Sequence, residues 1–249
     1  MILTELNQGV LTITLHRPEK KNALSQQMYR DLVQALQRAE ADSGIKVVLL
    51  ASSSDSFCAG NDLQDFLGAG ELNDQHPTVI FLYQLARFTK PLIAAVDGLA
   101  IGIGTTALLH CDLVYVTERV RFQLPFTALG LCPEAGSSVL LPQVAGYQKA
   151  AQYLLLGEDF GANEALQMGL VNQVINADKL MTLATGKAQT LAQLPDAAVL
   201  ATKKLLRQQL QQPTLAAIAK ELELFQQLLV SDDCQQRVKG FFGTKNNKS

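Results

Sequence analysis

The stretch Leu92-Ile93-Ala94-Ala95-Val96-Asp97-Gly98-Leu99-Ala100-Ile101-Gly102-Ile103-Gly104 joins a short apolar run to a glycine-rich segment. The run itself contains no charged residue, as is usual for a strand that is covered on both faces of a sheet. Glycine lets the backbone approach a ligand closely and adopt positive φ. The stretch therefore predicts a buried strand that is followed by a tight turn with an accessible backbone.

Similar apolar runs lie on both sides of this stretch. Val47-Val48-Leu49-Leu50 precedes it and Leu113-Val114-Tyr115-Val116 follows it, with helical patterns at residues 79–88 and 105–110 between them. Strands that alternate with helices are typical of parallel crossovers. The chain is therefore predicted to be an α/β protein with a mostly parallel sheet.

The N-terminal part adds a hairpin and a helix. Apolar runs at residues 2–6 and 10–15 flank the turn Asn7-Gln8-Gly9, a pattern that predicts two antiparallel strands. Ser25 is a suitable N-cap for a helix that carries apolar residues at helical spacing. These residues are Met28, Leu32, Ala35, Leu36 and Ala39.

The C-terminal part is almost entirely helical in pattern from about Gly146 onward. Five apolar residues fall on one face of a last long helix, and this face is more apolar than an isolated helix at an edge should expose. They are Leu215, Ile218, Leu222, Phe225 and Leu229. No linker rich in Pro, Gly or Ser occurs, so we expect one domain, 1–249, with a core at 1–195 and a helical region at 196–249.

The composition of the 249 residues excludes several classes of protein. Hydrophobic residues make up 48% and charged residues 18%, which is ordinary for a globular core. Lys and Arg number 21 against 23 Asp and Glu, without a block of like charge, so no binding to nucleic acid or to a membrane is expected. The four cysteines are far apart and form no C-x-x-C pair, as in a reducing compartment.

Targeting signals are not evident at either end. The N-terminus has no basic segment followed by an apolar one, and the most apolar stretch, at residues 92–104, is too short to span a bilayer. The chain ends in Asn246-Asn247-Lys248-Ser249, which is not a peroxisomal tripeptide. We therefore expect a cytoplasmic protein.

A second glycine-containing turn follows another buried run. Phe57-Cys58-Ala59-Gly60-Asn61-Asp62-Leu63 comes after the strand that ends near Ala51. Two such turns side by side on a parallel sheet could direct two backbone N–H groups at one oxygen, as an oxyanion hole does. Taken singly, each is better explained as a tight turn that requires glycine. Neither forms a nucleotide-binding G-x-G-x-x-G or a P-loop.

The two turns together resemble the paired oxyanion segments of the enoyl-CoA hydratase/isomerase (crotonase) family. The resemblance continues through His110-Cys111-Asp112-Leu113-Val114-Tyr115 and the segment 122–133 to Gly169-Leu170-Val171, and it covers roughly residues 2–240. It implies an α/β fold built as a spiral of β-β-α turns, with a helical C-terminal trimerisation region. It also implies an acyl-CoA thioester as the substrate.

The resemblance assigns roles to individual residues. The backbone N–H groups of Asn61 and Ile103 would hold the thioester oxygen. Residues that would contact the substrate or its coenzyme A are Ala23, Leu24, Ala59, Gly60, Asn61, Asp62, Leu63, Gly102 and Ile103. Family members place the loop equivalent to Lys20-Lys21-Asn22-Ala23-Leu24 against the nucleotide end. A solvated surface loop is an equally good explanation of the two lysines.

The type of reaction depends on the acids that the chain retains. Hydratases of the family carry one glutamate in G-G-G-x-E and another in F-G-x-P-E. This chain has Thr106 and Phe126 at those two positions. Neither side chain can serve as the acid or the base that adding water requires. The resemblance therefore does not favour a hydratase.

Glu134 is the carboxylate that remains in this neighbourhood. Its segment, Gly130-Leu131-Cys132-Pro133-Glu134-Ala135, resembles the G-x-x-P-E-[GA] run of the peroxisomal-type delta-3,delta-2-enoyl-CoA isomerases, in which this glutamate is the single acid and base. An apolar surrounding that includes Phe126, Leu129 and Leu131 would raise its pKa. The residues alone allow a simpler explanation: Pro133 begins a helix and Glu134 complements its positive end.

Two other candidates have structural explanations. Asp62 could be catalytic, although an aspartate after a loop glycine is more often an N-cap. His110-Cys111-Asp112 could suggest a metal site, but its position between a helix and a strand favours a role in the core and the turn. No metal site is therefore predicted.

The expected function is the isomerisation of 3-enoyl-CoA to 2-trans-enoyl-CoA in fatty acid degradation. Glu134 would move the proton, and no metal or redox cofactor would be needed, since coenzyme A is part of the substrate. The alternatives are another reaction of the family, such as hydration, or a catalytically silent oligomer that binds acyl-CoA. Relatives form trimers or pairs of trimers, so we expect a homotrimer at least.

Overall fold

The structure is a computed structural model that describes residues 1–64 and 70–246, with side chains described up to residue 240. The strands are β1 (Ile2–Asn7), β2 (Val10–Leu15), β3 (Val47–Ser52), β4 (Leu92–Val96), β5 (Leu99–Ile101), β6 (Leu113–Thr117), β7 (Arg121–Gln123), β8 (Asp159–Gly161) and β9 (Gln173–Ile175). The α-helices are α1 (Gln26–Ala41), α2 (Pro77–Arg87), α3 (Ile103–Thr106), α4 (Ser137–Ala145), α5 (Tyr147–Leu155), α6 (Ala162–Met168), α7 (Ala177–Ala192), α8 (Asp196–Leu229) and α9 (Asp232–Asn246).

The larger sheet has the strand order β1-β2-β3-β4-β6-β9. Only its first pair, β1 with β2, is antiparallel, and every following pair is parallel. This confirms the predicted mostly parallel sheet. The wholly buried strand β4 lies inside the sheet with β3 and β6 as its neighbours, which explains why its sequence does not alternate.

The N-terminal elements form for local reasons that the sequence already contains. Gln8 and Gly9 both have positive φ, 49° and 79°, as a two-residue hairpin turn between twisted strands requires. The Ser25 hydroxyl accepts a hydrogen bond from the Met28 N–H at 3.3 Å and caps α1. The predicted hairpin and helix are therefore confirmed.

A smaller sheet, β5-β7-β8, forms a second layer. Strand β4 of the larger sheet leads through Asp97-Gly98 into β5 of the smaller one, and β6 leads in the same way into β7. Single β-bridges extend this layer, joining Leu24 to Asn61 and Cys58 to Ala100. The chain thus alternates between a strand in one layer and a short extended segment in the other. This is the predicted spiral.

The predicted long C-terminal helix is present as α8, and its apolar face is covered. Ile218, Phe225 and Leu229 are buried, and Leu215 and Leu222 pack partly buried against the same core. The face is apolar because it covers the protein's own core. The expectation of an almost entirely helical chain beyond Gly146 did not include two short strands, β8 and β9.

The exposed apolar residues of α8 lie elsewhere on the helix. Leu205 and Leu206 have 69% and 77% of their surface exposed, far more than the five residues of the predicted face. Across residues 1–64 and 70–246, no helix combines the length and the apolar character that crossing a membrane requires.

Candidate functional site

The two glycine-containing segments meet in the second layer. The Cys58 N–H donates to the Leu99 carbonyl and the Ile101 N–H donates to the Cys58 carbonyl, both at 2.9 Å. A Cβ on Gly104 would lie 2.6 Å from the Cys58 carbonyl oxygen, so only glycine allows this approach. The segments that the sequence places side by side are therefore in direct backbone contact.

The loop before α1 runs along the first of these segments. The Ala59 N–H donates to the Lys21 carbonyl at 3.0 Å, and the Leu24 N–H donates to the Gly60 carbonyl at 2.8 Å. The Asp62 N–H returns a bond of 2.9 Å to the Leu24 carbonyl. These bonds place two predicted substrate-contacting residues of the loop, Ala23 and Leu24, along those of the first segment, 59–63.

Asn61 and Ile103 have backbone amides that can serve as donors to a ligand. The neighbouring amides of Asp62 and Gly102 are occupied, the latter by the Gln123 carbonyl at 2.9 Å. Among the hydrogen bonds between described residues, none has the N–H of Asn61 or Ile103 as its donor. Each of these two amides lies next to an amide that already donates to a carbonyl, and each can itself donate to a ligand oxygen. An oxyanion hole needs two such donors.

Glu134 lies beside Thr106, just after the end of the second segment. Its side chain is 6% exposed, and its Oε1 accepts a hydrogen bond from the Thr106 hydroxyl at 2.5 Å. Thr106 and Ile103 are the last and first residues of α3, a single helical turn. The carboxylate is therefore held about one turn away from one of the two available amides.

Burial sets the acid strength of Glu134. Desolvation disfavours the charged carboxylate and raises its pKa to about 8, and the negative charge of Glu221 acts in the same direction. The hydrogen bond from Thr106 favours the charged form and opposes part of this shift. A carboxylic acid with a pKa near neutrality can both accept and return a proton under ordinary conditions.

Tyr29 connects the two sides of the site. Its hydroxyl donates to the Asn61 side-chain oxygen at 2.5 Å, and its side chain is fully buried. Burial raises the pKa of Tyr29 well above its ordinary value, and the charges of Glu134 and Cys58 add to the effect. The phenol therefore stays protonated and fixes the orientation of the Asn61 amide group.

The turn after Glu134 corrects the sequence-based explanation of that residue. Helix α4 begins at Ser137 and not at Pro133, so Glu134 is not in its first turn. Ala135, at a φ of 60°, and Gly136, at 72°, separate the carboxylate from the helix. The first amides of the helix are bonded instead by the carboxylate of Glu221, which comes from α8.

Asp62 takes a structural position. Its carboxylate pairs with Arg17 at 2.8 Å and accepts from the Gln64 N–H at 3.2 Å, so the capping explanation is the better one. An open pocket of about 540 Å³ lies beside this ion pair, with Arg30 also in its wall. A smaller pocket of about 250 Å³, next to Lys90, contains none of the predicted site residues.

The His110-Cys111-Asp112 segment lies inside a network of polar contacts. The Asp112 carboxylate accepts from the Leu92 N–H and from Lys203 of α8, both at 2.7 Å. His110 Nε2 donates to the Ala135 carbonyl at 2.8 Å, and burial lowers the pKa of His110 to about 4, so the ring is neutral. The segment therefore connects the sheet, α8 and the turn after Glu134.

Three residues of the site were not identified from the sequence. Thr106 was considered only as a missing acid, although its hydroxyl donates to Glu134. Nothing in the local pattern marks Tyr29. Glu221 did leave a signal, because it is a charged residue at helical spacing between Ile218 and Phe225 on the buried face of α8.

Comparisons with known proteins agree on one family. The sequence profile of the family described as "Enoyl-CoA hydratase/isomerase" matches residues 5–248. The crystal structure of an enoyl-CoA hydratase/isomerase from Pseudoalteromonas atlantica T6c superposes with a TM-score of 0.94 and is 38% identical, covering 98% of this chain and 97% of that one.

Curated relatives carry the names of two different reactions. "Enoyl-CoA delta isomerase 2" of Rattus norvegicus is 34% identical over 98% of this chain, which spans 64% of the length of that relative. "2,3-dehydroadipyl-CoA hydratase" of Escherichia coli (strain K12) is 35% identical, over 96% of this chain and 94% of that protein. The names of relatives therefore leave the choice between isomerisation and hydration to the residues of the site.

Proposed function

The chain belongs to the enoyl-CoA hydratase/isomerase family, and we propose that it is an isomerase that converts 3-enoyl-CoA thioesters to 2-trans-enoyl-CoA. The observation that carries the proposal is the placement of Glu134, a buried carboxylate one helical turn from the free amide of Ile103. Asp62 is paired with Arg17, and Thr106 and Phe126 stand where the family's hydratases carry glutamates. Among the described residues at this site, Glu134 is thus the carboxylate left for catalysis, and a proton shift needs one such group.

The proposed reaction has two proton transfers through the same group. Glu134 removes a proton from the α carbon of the thioester, and the electron pair spreads over the dienolate to the thioester oxygen. The amides of Asn61 and Ile103 stabilise that oxygen. Glu134 then returns the proton to the γ carbon, so the double bond moves and no atom is gained or lost. Such a shift requires no metal or redox group.

The residues around the site support an acyl-CoA substrate. The backbone of residues 59–62 and the loop at Ala23 and Leu24 form one continuous edge. Arg17 and Arg30 line the open pocket beside it. We assign this pocket to the coenzyme A end of the substrate, because guanidinium groups bind phosphates well.

An ultraviolet assay tests the proposed reaction. The purified protein is incubated separately with 3-enoyl-CoA and with 2-enoyl-CoA, and the absorbance of the conjugated thioester is followed. Isomerisation gives a gain of absorbance with the first substrate and no loss with the second. A loss of absorbance with 2-enoyl-CoA indicates hydration, and no change with either indicates a silent acyl-CoA-binding protein. Either result would contradict the proposal.

We propose in addition that the protein assembles as a trimer or a pair of trimers. Leu205 and Leu206, adjacent on α8, are exposed to a degree that is unusual for leucine pairs on a monomer surface, and Leu155 and Leu156 are each 66% exposed. Light scattering at micromolar concentration should give a mass of at least three chains. The double variant Leu205→Asp/Leu206→Asp should lower that mass, and a monomeric parent protein would contradict the proposal.

A further inference from the structure

Glu221 is a buried carboxylate that the proposed reaction does not use. It lies on α8 and is 6% exposed. One of its oxygens accepts from the Gly136 N–H at 2.6 Å, and the other accepts from the Ser138 N–H at 3.0 Å and from the Ser138 hydroxyl. Hydrogen bonds to a charged, buried acceptor are among the strongest that side chains make in a protein.

These bonds hold the segment at residues 133–138, which we term the acid turn because it carries Glu134. The acid turn contains Ala135 with a φ of 60°, a conformation that is uncommon for any residue other than glycine and that the surroundings must maintain. It is closed internally by the Ser137 N–H, which donates to the Glu134 carbonyl at 3.0 Å. A shift of this turn would move the Glu134 side chain with it.

The acid turn is held by two other parts of the chain. Helix α8 contributes Glu221 and also Thr214, whose methyl carbon would lie 2.7 Å from a Cβ on Gly136. The segment before β6 contributes His110, which donates to the Ala135 carbonyl at 2.8 Å. Before Ser137 the acid turn contains no helix or strand, so side chains from distant parts of the chain help to define its shape.

We propose that Glu221 is a positioning residue that acts through the acid turn to direct the carboxylate of Glu134 at the reacting carbon atoms. The inference rests on the proposed function of Glu134 and deepens it. It also gives the C-terminal helical region a part in the reaction, since α8 supplies the group that is 85 residues away from Gly136 in sequence.

A second consequence is electrostatic. The charge of Glu221 raises the pKa of Glu134, in addition to burial. The other titratable groups that face Glu134 are Tyr29 of α1 and the thiols of Cys58 and Cys132. Burial raises the pKa of Cys58 to about 12 and that of Cys132 to about 11. It also raises the pKa of Tyr29 well above its ordinary value. These three groups are therefore neutral in the pH range in which Glu134 titrates.

The experiment compares Glu221→Gln with Glu223→Gln in the full chain. Glu223 lies on the same helix but is exposed and paired with Lys220 at 2.8 Å, so its variant controls for loss of a carboxylate from α8. We expect Glu221→Gln to lower kcat by about 10- to 100-fold with little change in KM, because small misplacements of a reacting group cost this much. The rising limb of its pH profile should move to lower pH.

A purely structural cap gives a different result. It would lower the melting temperature of Glu221→Gln and leave kcat and the pH profile as in Glu223→Gln, and that outcome would overturn the proposal. If Glu221→Gln does not fold, Ser138→Ala removes one bond to Glu221 and keeps the charge. This variant should lower kcat a few-fold without moving the pH profile. An unchanged kcat would also overturn the proposed role of Glu221.

The Glu134→Gln variant separates this inference from the proposed function. If Glu134→Gln remains active, the proposed function itself fails. If Glu134→Gln is inactive while Glu221→Gln matches Glu223→Gln in kcat and in pH profile, the function stands and only the positioning role is wrong.

Discussion

The glycine edge, residues 57–63 and 98–104, and the acid turn are built in different ways. At the glycine edge backbone hydrogen bonds join the two segments, such as those of Cys58 with Leu99 and Ile101, and side chains such as Tyr29 add to them. In the acid turn one internal backbone bond is supplemented by side chains from far along the chain, His110 and Glu221.

The difference separates the two kinds of group to which we assign catalytic roles. A backbone amide needs only the correct path of the chain, and glycine with its short neighbours provides that path locally. A carboxylate needs an altered pKa and a defined direction, and both depend on what surrounds it. We therefore expect the glycine edge to tolerate changes of side chain and the acid turn to be sensitive to remote ones.

The largest effect is expected at the acid turn itself. Glu134→Gln removes the group that carries the proton, so turnover should fall by about two to four powers of ten. Binding of the acyl-CoA should persist, because the glycine edge is unchanged, and it is measured by calorimetry with a saturated acyl-CoA. Activity close to that of the parent would show that Glu134 does not carry the proton.

At the glycine edge the corresponding change is made in the backbone. An amide-to-ester replacement that removes the N–H of Asn61 or of Ile103 should cost about 10²–10³-fold in kcat. The variants are prepared by semisynthesis, and circular dichroism and thermal melting check their folding. Parental turnover in a well-folded ester variant would exclude the two amides as oxyanion donors.

The raised pKa of Glu134 predicts a dependence of stability on pH. The folded state keeps a proton that the unfolded chain releases, so this contribution is complete below the ordinary value of 4.5 and is lost as the pH rises through about 8. The melting temperature of Glu134→Gln should therefore rise relative to that of the parent between pH 5 and pH 9. Parallel melting curves would mean that the carboxyl group titrates normally.

The smallest effect distinguishes backbone strain from packing. Gly136 and Gly169 are both left-handed, with φ of 72° and 85° and ψ of 11° and 8°, but of the two only Gly136 has a close neighbour, Thr214. Gly169→Ala should cost about 1 kcal/mol for its conformation, and Gly136→Ala about 1–3 kcal/mol more for the overlap. Urea denaturation measures both. Equal losses would show that α8 does not press on the acid turn.

Local pattern was sufficient to predict much of the fold. The parallel strands, the N-terminal hairpin and the Ser25 cap follow from short-range hydrophobic period and capping chemistry. The apolar face of the long C-terminal helix predicted burial, but only the structure shows that the protein's own core covers it. The N–H groups of Asn61 and Ile103 donate to no other residue that the structure describes, and their role in catalysis is still a prediction.

The sequence by itself determined the order of strands and glycine turns, the family, and the presence of Glu134 with Thr106 and Phe126 in place of two other acids. Only the tertiary structure decided that Glu134 lies in an irregular turn, that Thr106 and Glu221 act on it, and that its pKa is raised. The physical reason is range. Backbone conformation and capping depend on residues a few positions apart, whereas desolvation and charge depend on every group that packs nearby, including residues 85 positions away.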